Sequence, residues 1–131
     1  MKWGFVLELA LPGVAIGLAV VLGMGETPMW ILWAVLRVLI ALGIARTVRR
    51  RHFAHGFLAG AIGAALAVLC GAVFFETYTA HHPEYLERAA ATAPTLDPRL
   101  LLVLIALAVG IVHGIVQGAL AGIASKIVTS R

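Results

Sequence analysis

Four long apolar stretches separated by short polar ones set the pattern of this chain, and they fall at 3–24, 28–47, 54–75 and 100–124. As helices rising about 1.5 Å per residue, each can cross the roughly 30 Å of bilayer hydrocarbon. None shows the strict alternation of a half-buried strand. The pattern therefore predicts an all-α, integral membrane four-helix bundle, with residues 1–131 forming a single transmembrane domain and 76–99 an outer loop.

The last stretch is the most regular. Gly110, Gly114, Gly118 and Gly122 recur at every fourth position, with His113 and Gln117 beside them. Residues four apart stack on one helix face, so these glycines form a shallow groove. Lipid tails are as apolar as leucine, and close backbone approach is the usual way for helices to hold together among them. In the third stretch Gly56, Gly60, Ala64, Ala67 and Gly71 make a matching strip, suited to nest against the last helix. The groove predicts a helix contact within this chain or with a copy of it; a lipid or pigment is the other occupant considered.

The first stretch contains Pro12, which removes a backbone hydrogen bond and predicts a kink, and Gly13 and Gly17, which offer another close-packing spot. Met1 and Lys2 before an apolar run have the outline of a signal peptide, with small residues at 23–25. The run is long enough to span, and Glu8 interrupts its start, so a retained helix is expected. Residues 23–28 read as a tight turn, with Thr27 as N-cap and Pro28 at the first helical position, joining the first two helices as an antiparallel hairpin. In the outer loop, 82–88 reads as a short helix opened by Pro83, followed by an extended return to the membrane.

Composition agrees: 62% of residues are hydrophobic, 12% are charged and the mean hydropathy is +1.02, outside the range of soluble domains. A net charge of +4 raises the question of nucleic acid, but the arginines gather at one helix end and predict no such partner. Lys2, Arg46, Arg49, Arg50, Arg51, Lys126 and Arg131 lie on one side, against Arg88 and Arg99 on the other. This asymmetry predicts cytoplasmic N- and C-termini in a bacterial inner membrane. Cys70, the single cysteine, excludes an intrachain disulfide and reads as a small buried residue.

The arginine-rich end of the second helix, the run from Phe53 to Gly56 leading into a glycine-bearing third helix, the exit through Pro83-Glu84-Tyr85-Leu86-Glu87 and the glycine-rich last helix ending in Lys126 together resemble a bacterial domain-of-unknown-function family of small four-span integral membrane proteins. The return before the last helix is shorter here than in that pattern. The resemblance implies the four-span fold and supplies no catalytic residue.

Candidate chemistry is sparse. Arg37 sits mid-span, where an unpartnered cation is expensive, and a buried pair with Glu8 is expected. His113 lies at a similar depth with Gln117 one turn on, predicting a neutral ring bonded to Gln117 or to a backbone carbonyl. The sharper reading of His113 is an axial ligand to a tetrapyrrole, with Gly110 and Gly114 leaving room for a flat ring; no other cofactor is expected. His81, His82 and Glu84 read as loop and cap, with no fourth ligand for a metal. Serine nucleophiles with a nearby base, phosphate loops and paired intramembrane carboxylates are absent, so catalysis is not expected. The sequence points to a structural or accessory membrane protein that packs against other membrane subunits or against itself. A small transporter or channel, or a pigment- or lipid-binding accessory subunit, is the alternative.

The orientation is checked by cysteine labelling in intact cells. An impermeant thiol reagent should react at Ala90→Cys and not at His52→Cys, and the opposite pattern would invert the topology.

Overall fold

The computed structural model describes residues 1–129, and these fold into six helices without strands. They are α1 (Trp3–Val21), α2 (Glu26–Thr47), α3 (His52–Val73), α4 (Phe75–His81), α5 (Glu84–Thr92) and α6 (Pro98–Thr129). α1, α2, α3 and residues Pro98–Val128 of α6 are long and apolar enough to cross a membrane, with mean hydropathies of 2.1, 2.0, 2.2 and 2.5. The fold is thus an all-α bundle of four candidate membrane helices. α6 has 32 residues and extends about 48 Å, more than the hydrocarbon requires.

α3 is the centre of the bundle because it has almost no bulk on two of its faces. On one, a Cβ added at Gly60 would stand 2.9 Å from the His113 carbonyl oxygen, and one at Gly56 2.7 Å from that of Gln117. α6 answers in kind, since a Cβ added at Gly110, Gly114 or Gly118 would stand 2.8–2.9 Å from the carbonyl oxygen of Ala61, Phe57 or Phe53 in turn. On the other face, Gly13 of α1 lies against the backbone of Gly63, and Gly17 against that of Ala67. Real Cβ atoms do not approach other atoms so closely, so these crossings exist only with glycine. The strip predicted along the third helix is in fact two strips.

Two members of the predicted ladder fall outside these crossings. Nothing stands within 4 Å of a Cβ at Gly122, and at Gly71 the neighbours are the side chains of Leu102 and Tyr78 at an ordinary 3.5 Å. The α3 backbone is no longer beside the glycine row at Gly122, so the row's contact ends at Gly118, and Ala121 carries the crossing on against Gly56.

α1 and α2 run antiparallel as expected but do not form a tightly packed hairpin, because each packs mainly on another helix: α1 on α3 and α2 on α6. Between α1 and α2 large side chains meet instead. Val6, Ile40, Ile44 and Val48 form one core cluster with Ala59 and Ala121, and Ile16 and Trp33 form a second with Ala64. The turn between them also differs from expectation. Gly25 caps α2 with its carbonyl accepting from Met29 N–H, Thr27 makes no cap bond, and Pro28 is the third helical residue.

At the other connections, the outer segment holds two helices instead of one, α4 and α5, and the last span starts earlier than predicted. The Asp97 carboxylate accepts from the N–H groups of Arg99 and Leu100 at 2.9 and 3.1 Å, and Pro98 follows at the first helical position. This is a cap in the ordinary sense. The start of α1 and the later turns of α6 lie with the arginine cluster: Lys2 N–H donates to His55 Nε2 and its ammonium to the Thr47 carbonyl, while Gly118 of α6 abuts Phe53.

Leucine at Gly114 should therefore break the bundle from within, lowering its stability in detergent by about 1–3 kcal/mol or more through overpacking. Gly122→Leu should leave the melting temperature unchanged, since its side chain meets open space. Equal melting temperatures for the two variants would contradict the α3–α6 crossing.

Candidate functional site

The polar residues at the middle of the bundle come from α2 and α6. Arg37 Nη2 lies 2.9 Å from His113 Nδ1. A guanidinium has donors only, so Arg37 donates and the ring accepts on Nδ1; the neutral ring then carries its proton on Nε2. Gln117 is 2% exposed and donates from Nε2 to the Arg37 backbone carbonyl at 3.1 Å. Trp33, one turn before Arg37, meets the imidazole edge to face, with ring centroids 5.3 Å apart. Four side chains on two facing helices thus make one connected group.

Glu8 is not part of it. Its side chain is exposed on α1, and the predicted Arg37–Glu8 pair is replaced by Arg37–His113. The reason lies in the packing: α1 is drawn against α3 by Gly13 and Gly17, whereas Arg37 stands on the helix that packs on α6. Likewise Gln117 serves a main-chain carbonyl of α2 and does not bond His113, as the second sequence expectation had it. The room for a flat ring beside His113 is filled as well. Gly110 and Gly114 face the carbonyls of Ala61 and Phe57, so the space imagined for a tetrapyrrole holds α3.

A cavity of about 320 Å³ adjoins this group. It reaches from His113 and Trp33 past Ile16, Val109 and Gly71 to Tyr78 and Tyr85, in the half of the bundle away from the arginine cluster. Its wall is almost wholly aliphatic and aromatic, and its size falls in the range of ligand sites. Its position follows from the packing described above: the small residues pull α1 and α6 onto α3, and no such contact closes α2 against α1.

The short helices α4 and α5 form the roof. Tyr78 and Tyr85 meet at 5.5 Å between ring centroids, and Tyr85 donates its hydroxyl to the Pro98 carbonyl at 2.6 Å, fixing the roof to the start of α6. His82 contacts the Val20 carbonyl through Nε2 at 2.8 Å, tying the roof to α1, with Glu84 3.5 Å from its Nδ1. Burial, and then the Glu84 carboxylate, push the Tyr78 phenol above its ordinary pKa; burial, then Tyr78 and Asp97, do the same at Tyr85. Both rings remain neutral donors over the physiological range. His81, predicted to share this cluster, packs over Gly23, where φ of +100° requires glycine, and it bonds the Thr77 carbonyl. Among the described residues no group of three metal-binding side chains comes together.

One nitrogen at the centre remains unused. His113 Nε2 has no partner among the described residues, and it is not sealed in, because every fully buried side-chain nitrogen and oxygen there is partnered. His113 is one of the residues that line the cavity. The cavity was not visible in the sequence, although Trp33 and His113 on neighbouring helices at one depth were a signal for its floor. No protein-family model, no curated protein and no solved structure matches the chain.

The Arg37 charge is not needed to hold α2. Replacing it by leucine removes one hydrogen bond from a charged donor, worth about 1.5–3 kcal/mol, and also a central charge that costs about 2.5–3.5 kcal/mol on insertion scales. Arg37→Leu should accordingly insert as well as the parent and melt at the same temperature or higher. A clear fall in melting temperature would show that the arginine is structural.

Proposed function

We propose that this multi-pass membrane protein is a non-catalytic binding protein that holds the apolar chain of a membrane-derived molecule in the cavity between α1, α2, α3 and α6. The cavity carries the reading: it has ligand size, an apolar wall, a roof fixed at both sides and one open donor at its floor. A chain taken from the bilayer exchanges one apolar surrounding for another, so selectivity rests on shape and on that donor. Placement in a bacterial inner membrane with cytoplasmic termini belongs to the same proposal, supported by the arginine excess at the end where α1 begins and α2 finishes. So does kinship with the four-span family of unknown activity.

The reading as a packing subunit drew its support from a surplus of small-residue faces. In this fold the faces of α1, α3 and α6 are spent on one another. The large apolar side chains that remain outside are mostly leucine, isoleucine and valine, including Leu39, Leu107 and Ile111, with Trp3, Trp30, Phe53 and Phe74 among them, which suits contact with lipid.

The test uses dodecane brominated at both ends, whose bromines quench tryptophan on contact. In a variant carrying Trp3→Phe and Trp30→Phe, it should quench Trp33 to saturation in detergent. Val109→Phe, which fills the cavity, should weaken that binding about ten-fold or more, a loss of at least about 1.4 kcal/mol. Quenching that rises without saturation in both proteins would mean that the probe meets Trp33 only from the micelle.

A further inference from the structure

At the centre of the bundle Arg37 has no counter-charge among the described residues. Arg37 donates to a neutral imidazole, while the single ion pair among the described residues, His82 with Glu84, lies in the roof. A cation held near mid-membrane without a counter-charge is costly, and such residues pair or mark a ligand site. Its partner passes the polarity on. With Nδ1 accepting from the guanidinium, the imidazole presents Nε2–H as a donor strengthened by the adjacent positive charge, on a residue that lines the cavity.

Resting on the reading that the cavity holds a membrane-derived chain, we infer that its ligand is a single-chain carboxylate, a fatty acid. The carboxylate accepts from His113 Nε2–H in the field of Arg37, and the chain runs from there towards Tyr78 and Tyr85. The head of this ligand is set by the donor and the charge. Carboxylate oxygens accept only, matching a floor that offers donors only, and their charge offsets the guanidinium where the dielectric is low. A ketone or an ester would fill the hydrogen bond and leave the cation alone. The tail is set by volume. If a methylene group takes roughly the 30 Å³ that a water molecule occupies in the liquid, 320 Å³ accommodates one chain of about ten carbons.

The test compares three probes on the protein whose only tryptophan is Trp33: dodecanoic acid brominated next to its carboxyl, the methyl ester of that acid, and the doubly brominated dodecane. The bromine of the acid sits beside its head, and Trp33 stands 5.3 Å from the His113 ring, so contact quenching reports where the head lies. The acid should bind at least about ten-fold more tightly than the ester, and Arg37→Leu should erase this preference. Equal affinities of acid and ester for the parent protein, a comparison that needs no folded variant, would overturn the carboxylate and leave the cavity standing. Saturation by none of the three would overturn both. Retention of the acid's preference in Arg37→Leu would place its head away from the arginine and defeat the inference.

Discussion

Helices in lipid gain little by hiding apolar surface from an apolar solvent, so what holds this bundle is the nearness of backbones. α3 supplies it twice. Gly56 and Gly60 admit α6, and Gly63 with Ala67 admits α1. At such distances whole turns of main chain lie in contact, and dispersion terms of about 0.1–0.2 kcal/mol per atom pair add over the crossing. The rest of the architecture is arranged around these two crossings. The termini, the arginine end and the roof all take their positions from helices that α3 has already fixed.

α2 is held by other means. It brings large residues, Trp33, Ile40 and Ile44, into the core, and it meets α6 through Arg37, His113 and Gln117. Gln117 alone would tie the two helices, because its amide reaches a backbone carbonyl at 3.1 Å and carries no charge. A central arginine adds a desolvation cost that the tie does not require. The arginine is therefore not what holds the two helices together, and the ring it bonds belongs to a residue that lines the cavity.

Much of this was legible in the residues, because the physics of spans is local. Length and hydropathy determine four helices, and four-residue glycine spacing marks the faces of α3 and α6. What the pattern could not show is which small face meets which. One strip was read along the third helix, where Gly63 in fact opens a second towards α1, since a count of small residues does not reveal the direction of a partner. The Glu8–Arg37 expectation failed for the same reason: the charges matched and the arginine stem could reach towards the acid, but the two residues stand on helices that are drawn to different neighbours. Asp97 before Pro98 was a readable start signal for α6, and the long apolar run beginning at Leu100 concealed it.

The cavity and the polar group are linked by cause as well as by place. Because α1 and α6 are fixed on α3 by contacts that only glycine permits, neither can move to fill the space beside α2 without giving up those contacts. The space persists as a gap between rigid walls, with Trp33 and His113 as its floor and the paired tyrosines as its roof. Had Arg37 paired with Glu8, the histidine would have been free to offer either nitrogen. Held by the guanidinium on Nδ1, it can offer only a donor, so the residue that makes the charge costly also determines the polarity of what the cavity can accept.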